Sequence, residues 1–317
     1  MATSLLTGPP SAALAEALRH FEQQFSYPLG AERRFRVDHR GDDRRFFQAL
    51  GAAVLAVHAE GETITGAVGA ALRTLVAPAG DERQVLYVGD LKISPDARGG
   101  RVLIRLLRLI LEWGAVRTQA AYAIVMAGTA TTPAQYTGRL GVPAFRTLAQ
   151  ATLLWLRTDL APSAAPGGTS IGTVEPKIGR AVLRKLAAGA HHAAGADSAL
   201  RSELAPRWLC TSDGRGCAML EDTRLAKRLV DQDGAEMRSA HLTCCGADVP
   251  AARLLIRQGL ISARELGYAM LFVALASTDA PLHQAAFAQQ LLALAPMTVY
   301  AAGEWAPGPW LISSADI

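Results

Sequence analysis

The sequence predicts an α/β (α+β) fold in two domains, each a central mixed, mostly antiparallel sheet flanked by helices. Three observations carry this. One order of elements (helix, hairpin, strand, turn, long helix, strand) runs twice along the chain. A stretch of small residues, Pro and Gly, Ala161–Gly172 (APSAAPGGTSIG), separates the two runs and marks a linker between domains 1–160 and 173–317. The 317 residues are 50% hydrophobic and 19% charged, enough apolar material for two cores of about 150 residues each.

In the first half an amphipathic helix is expected around Ser11–Phe25. A hairpin follows, with strands near Ala53–Ala59 and Thr63–Thr74 about a turn at Glu60–Glu62. Val85–Ile93 reads as a strand, SPDARGG turns the chain, Arg101–Arg117 has helical spacing, and Tyr122–Met126 and Ala151–Leu160 read as strands. The second half repeats the plan. Its helices are expected at Glu175–Ala188 and Val249–Glu265, its strands at Trp208–Cys210, Cys217–Leu220, Ala240–Cys245 and Tyr268–Leu275, and a last helical stretch at Pro281–Leu294. Glu60-Gly61 matches Asp213-Gly214, Leu103-Ile104-Arg105 matches Leu255-Ile256-Arg257, and Tyr122 matches Tyr268, at similar offsets and in the same order. A duplication is the expected origin.

Composition excludes several functions. The longest stretches without Asp, Glu, Lys or Arg, Thr118–Gly138 and Ala280–Gly303, are broken by Gln, Thr and Pro, so no spanning helix is expected. The first residues lack the basic start of a secretory signal, and a cytoplasmic location is expected. Residues 1–160 carry 18 Lys and Arg against 14 Asp and Glu, while residues 161–317 carry 14 of each. That small excess does not suggest nucleic acid, but it suits a polyanionic small ligand. The cluster Arg33, Arg34, Arg36, Arg40, Arg44 and Arg45, interleaved with Asp38, Asp42 and Asp43, reads as a solvated face. Cys210, Cys217, Cys244 and Cys245 have no zinc-type spacing and read as buried thiols, so no metal is expected.

The segment with chemical content is Tyr87–Trp113, YVGDLKISPDARGGRVLIRLLRLILEW. A strand ends at Ile93, Pro95 breaks it, and Arg98-Gly99-Gly100-Arg101 opens a helix that places Val102, Leu106, Leu109 and Trp113 on one face. A loop feeding a helix N-terminus offers free backbone N–H groups and the positive end of the helix dipole, which suits a phosphate or pyrophosphate.

On these residues the chain resembles the GNAT superfamily of N-acetyltransferases. DLKISPDARGGRVLIRLL parallels that family's strand, L-x-V-x-P, then R-G-x-G-x-G, then helix. The resemblance implies that Leu91 and Ile93 contact the pantetheine arm of acetyl-CoA or another acyl-CoA. It also implies that Arg98, Gly99, Gly100, Arg101, Val102 and Leu103 cradle the pyrophosphate. The chain departs from the pattern at Arg101 and Leu103, where the family has glycine or alanine. In the family a tyrosine on the helix after the next strand protonates the leaving thiolate. Thr132-Pro133 caps such a helix here, and Tyr136 is the candidate acid, with a packing tyrosine as the alternative. Asp90 is the candidate base for the amine, with an Asp tied to strand-end backbone as the alternative. His58 is a further candidate for the acceptor side or a structural histidine.

The second half reads Cys245-Gly246-Ala247-Asp248-Val249-Pro250 where the loop would be, and Pro281–Leu294 has no tyrosine. A degenerate domain is expected there, with His241 and His283 as scaffold. The resemblance therefore implies an acyltransferase that passes an acetyl or longer acyl group to a small-molecule amine or a peptide amino group, by direct attack on the thioester. An acyl carrier protein as donor, or a non-catalytic acyl-CoA-binding pseudoenzyme, are the alternatives.

Overall fold

The computed structural model describes residues 2–29, 33–99, 101–129, 131–162, 169–246 and 248–317. In the first half they form β1 (Ala2–Leu6), α1 (Ala12–Glu22), β2 (Tyr27–Leu29), β3 (Arg33–Asp38), α2 (Asp43–Gln48), β4 (Ala52–Glu60), β5 (Thr63–Val76), β6 (Glu82–Ile93), α3 (Val102–Ala115), β7 (Ala121–Met126), α4 (Pro133–Tyr136) and β8 (Arg146–Arg157). The second half continues with β9 (Ile171–Val174), α5 (Pro176–Leu186), β10 (His192–Ala193), α6 (Ser198–Arg201), β11 (Arg207–Thr211), β12 (Gly216–Glu221), β13 (Arg228–Asp231), β14 (Ser239–Gly246), α7 (Val249–Glu265), β15 (Met270–Ala276), α8 (Ala280–Ala286) and β16 (Leu291–Ala302).

One sheet runs through both halves in the order β1-β4-β5-β6-β7-β16-β8-β15-β14-β12-β11-β9, with β10 beside β5. The order of corresponding strands is the same from either edge. The final strand of each half lies toward the other half: β8 pairs with β15, and β16 pairs with β7. Among the described residues β6–β7 and β14–β15 pair parallel, and α3 and α7 make those two crossovers.

α3 and α7 cover one face of the sheet. α3 buries Val102, Leu106, Leu107, Ile110 and Gly114 against β4 to β7. Leu106 and Ile110 are fully buried, each contributing about 1.5–3 kcal/mol. The expected stripe is rotated slightly, since Leu109 and Trp113 are only half-buried. The opposite face carries a core shared by both halves, including Phe47, Tyr87, Tyr122, Trp155, Phe272 and Val299, and the tail closes it with Trp305 and Ile312. α1 and α2 lie on this second face, and Gly69 has no side chain because Phe47 fills that space.

Four sequence expectations need correction. Pro281–Leu294 is not one helix: α8 ends at Ala286, and β16 begins at Leu291 because the sheet needs a strand between β7 and β8. The arginine-rich segment is not simply a solvated face. Arg33–Asp38 is a strand joining β2 and β13 in a small separate sheet, and Arg44 is buried. The expected linker overlaps β9, which starts at Ile171, while residues 163–168 lie outside the described residues. The matched triplets Leu103–Arg105 and Leu255–Arg257 sit at different turns of α3 and α7, although the helices occupy corresponding places. As expected, Cys210, Cys217 and Cys244 are buried free thiols; Cys245 is half-buried.

Candidate active site

β6 and β7 are joined by two residue pairs only, Leu86–Ala121 and Tyr87–Tyr122, although β6 continues to Ile93 and β7 to Met126. β7 goes on pairing with β16, and β6 with β5, so the two parallel strands part beyond the tyrosines. The edge of β6 that turned toward β7 is then free to hydrogen-bond an extended ligand.

A bulge shapes that edge. Gly69 pairs with Gly89 and Ala67 with Lys92, leaving Asp90 and Leu91 opposite Val68. Asp90 takes up the extra residue at φ +53°, a left-handed conformation that is uncommon for a residue other than glycine. Leu91 and Ile93 are half-buried against the α3-side core.

After Ile93 a 3₁₀ turn, Pro95–Ala97, leads to Arg98 and Gly99, both exposed, with Gly99 at φ +79°. Gly100 lies outside the described residues. Arg101 is the N-cap of α3, and its side chain does not bond the first-turn amides. Those N–H groups have no capping side chain, and with the dipole behind them they suit an anion. Arg101, Arg105 and Arg108 recur along the exposed side of α3; Val102 is buried and Leu103 half-buried, so these two can offer the ligand only backbone. The corresponding end of α7 is filled by the chain itself. Asp248 accepts from the Ala251 amide at 2.8 Å and pairs with Arg215, while Pro250 has no amide to offer.

Tyr136 ends α4, which Thr132 and Gln135 cap reciprocally and Pro133 starts, as the sequence suggested. The ring packs half-buried against the α3-side core, and burial followed by the nearby Tyr300 hydroxyl pushes its pKa up to about 12. At neutral pH it is a proton donor.

Asp90 lies on the other face of the sheet and is not an isolated carboxylate. Lys92 Nζ is 2.7 Å from Asp90 Oδ2 and 2.7 Å from Glu22 Oε1, at the end of α1. His39 Nδ1 lies 2.6 Å from Glu22 Oε1, 3.7 Å from Asp90 Oδ2 and 3.8 Å from Asp43 Oδ2. Burial opposes the charge on Lys92, but Asp90 and Glu22 outweigh it and raise its pKa well above the usual value. Burial likewise opposes charge on His39, yet Glu22 and Asp43 outweigh it and raise its pKa. Glu22 is held well below the carboxylate range because His39 and Lys92 overcome the upward effect of burial. Asp43, raised to about 6 chiefly by burial, keeps one oxygen without a partner.

Glu22, His39, Asp43 and Asp90 each bring a ligand-type atom within 4.8 Å of the others. Lys92 already occupies two of these carboxylates, and His39 Nδ1 faces Glu22 at hydrogen-bond distance, so the donor set does not fit a metal ion. The cation of this cluster is a side chain of the chain itself.

The structure thus brings Asp90, Leu91 and Ile93 along one side of the strand opening, with Arg98, Gly99, Arg101, Val102 and Leu103 at its α3 end. Tyr136 lies on the α3 face, opposite to Asp90. His58 is apart from them, its Nδ1 2.7 Å from Thr3 Oγ1. His241 and His283 are buried, and His241 faces Ser314. Glu22, His39, Asp43 and Lys92 escaped sequence reasoning. The available signal was Lys92, a charge two residues from Asp90 in a strand that is otherwise free of polar side chains from Val85 onward, Tyr87 aside.

No family model matches the sequence, and no curated protein matches it. Solved structures do. An N-myristoyltransferase from Saccharomyces cerevisiae, solved with bound myristoyl-CoA, superposes with a TM-score of 0.63 at 10% identity, over 97% of this chain and 84% of that one. GCN5-related N-acetyltransferases from Anabaena variabilis and Kribbella flavida each give a TM-score of 0.53. Identities are 10% and 12%, over 94% and 95% of this chain and 72% and 70% of theirs. No helix among the described residues is long and apolar enough to cross a membrane. Parted parallel strands, the loop opening α3, and these superpositions across nearly the whole chain agree: this chain has the fold of the GNAT superfamily.

Proposed function

We propose that the chain is an acyltransferase that moves an acyl group from acyl-CoA to an amine. The observation that carries this reading is the parting of β6 from β7 after Tyr87 and Tyr122, directly before a helix whose N-terminus is uncapped by side chains. The pantetheine arm would add to the free edge of β6 beside Leu91 and Ile93. Its pyrophosphate would lie on the backbone from Arg98 to Leu103.

In this reading Asp90 accepts a proton from the acceptor ammonium, and the freed nitrogen lone pair attacks the thioester carbon. As the tetrahedral intermediate collapses, the carbon–sulfur bond breaks with its electron pair on sulfur, and Tyr136 donates its hydroxyl proton to that thiolate. The nitrogen's second proton restores Tyr136, and the proton held by Asp90 leaves to water. Proximity along the opening and backbone hydrogen bonds to the thioester oxygen supply most of the acceleration.

The half from residue 173 onward would be a duplicate without donor-binding capacity, since Asp248 fills its helix terminus. A second reading, with an acyl carrier protein as donor, is favoured by the exposed row Arg101, Arg105 and Arg108, which would face an acidic protein.

Calorimetric titration with CoA and acetyl-CoA, followed by thiol release against pooled amines, tests the proposal. Binding with turnover supports it. Binding without turnover of any amine points to a pseudoenzyme, and binding of neither turns the search to a carrier-protein donor.

A further inference from the structure

We infer that Glu22, His39 and Lys92 are positioning residues that fix the Asp90 carboxylate and set the charge around it, making one proton-sharing group with Asp90 as its outlet. The inference rests on the acyl-transfer reading in which Asp90 is the base.

Geometry supports it in three ways. First, the contacts are continuous. Asp43, His39, Glu22, Lys92 and Asp90 form a chain in which each neighbour lies 2.6–3.8 Å from the next. Second, burial is graded. The side chains of Glu22, His39, Asp43 and Lys92 are 1–6% exposed, whereas Asp90 is 19% exposed at the bulge beside the opening, so an acceptor reaches the group through Asp90. Third, Asp90 holds a left-handed backbone conformation, which persists only where surrounding contacts over-determine it. Lys92 and His39 are those contacts from the side chain. The main-chain N–H of His39 also donates to Glu22 at 2.9 Å, which ties α1 to the loop that carries the imidazole.

Other charged or titratable groups around this set are Tyr27 from β2, Asp38 from β3, Asp43 from α2 and Lys227 from the loop before β13. With Lys92 and His39 charged, the group carries two positive charges against the carboxylates of Glu22, Asp90 and Asp43. A proton taken up at Asp90 is therefore felt at His39, 3.7 Å away, and at Asp43 beyond it. Removing Glu22 takes the principal anion from both cations at once, and Asp90 is then the main carboxylate left to hold them.

The test uses the full chain with acetyl-CoA and an amine that it acylates. Glu22→Gln is expected to lower kcat about tenfold or more, to move the acidic limb of the kcat/KM profile, and to leave KM for acetyl-CoA within about twofold. Lys92→Arg is expected to keep most of the activity that Lys92→Met loses. His39 ring resonances, followed by NMR titration, should move to a lower pKa in Glu22→Gln and in Asp90→Asn, a readout independent of turnover. Unchanged His39 titration in both variants, or a Glu22→Gln enzyme whose kcat falls equally at every pH, would overturn the inference. An Asp90→Asn enzyme with full activity would instead overturn Asp90 as the base. A wild-type chain that acylates no amine would overturn the acyl-transfer reading and leave the His39 titration to decide the coupling.

Discussion

Tyr87 and Tyr122 form the second and last pair of the ladder between β6 and β7, with ring centroids 5.1 Å apart. Both hydroxyls are engaged on the core shared by the two halves. Tyr122 accepts from Arg73 at 2.9 Å, and Tyr87 donates to the Asp316 carbonyl at 2.9 Å. The point where the strands part is thus pinned by an ionic group from both halves and the tail. Asp316 meets Arg73 at 2.8 Å and Arg201 at 2.6 Å, and Arg201 also pairs with Glu221.

Asp316→Asn should destabilise the protein strongly. Arg73, Arg201 and Asp316 are all at most 4% exposed, and removing one member of such a group leaves a buried charge without compensation, at a cost of about 3–5 kcal/mol. The two arginines outweigh burial and hold the Asp316 carboxyl down at about 2. A depressed carboxyl stabilises fully above its unfolded value, near 4, and this contribution disappears as pH falls toward 2. Urea melts at pH 7 and pH 3 should therefore show a smaller gap between variant and wild type at the lower pH. An equal gap would separate Asp316 from the ion network.

Gly69→Ala tests the packing behind the bulge. An added methyl would enter the ring of Phe47, which is fully buried. Overpacking of this kind costs about 1–3 kcal/mol. Thermal melts should show the loss, and Phe47→Leu in the Gly69→Ala background should recover part of it. A cycle of the two substitutions without coupling would contradict the contact.

In the proposed reaction Tyr136 protonates the leaving thiolate, so Tyr136→Phe should lower kcat for acyl transfer by about 10²-fold or more while leaving the dissociation constant for acyl-CoA unchanged. Stopped-flow thiol release beside calorimetry separates the two effects. Weaker binding with an unchanged rate constant would make Tyr136 a packing residue.

In the proposed reading the exposed Arg98 side chain adds positive charge beside the backbone that would hold the pyrophosphate, so Arg98→Ala should weaken acyl-CoA binding about 10-fold or more. Asp248→Ala should not create a second binding site, since the α7 terminus would still lack the Pro250 amide and an arginine–glycine loop. Calorimetric stoichiometry checks both: one site in the Asp248 variant, and a weaker one in the Arg98 variant.

Much of the fold was legible along the chain because its signals are local. The apolar run that opens Val85–Ile93, the break at Pro95 and the helical stripe from Val102 onward each depend on neighbouring residues, and together they identified the loop that opens α3. The cap at Thr132-Pro133 and the turns at Gly61 and Gly214 are likewise local. Asp90 and Tyr136 could be named as candidates only through the resemblance of the surrounding motif to the acetyltransferase pattern.

What the tertiary structure decided are pairings between residues far apart in sequence. Local pattern made Leu291–Leu294 helical, but the place between β7 and β8 demanded a strand. The Arg33–Asp38 segment gained its strand partner, β13, from the other half of the chain. Glu22, His39 and Asp43 meet Asp90 and its strand neighbour Lys92 only after α1, α2 and β6 have packed, because separations of tens of residues leave no period in the sequence. Sequence alone determined the two runs of elements and the anion-ready helix terminus. Folding decided where β6 and β7 part and which charges surround Asp90, since both depend on long-range packing rather than on local conformational preference.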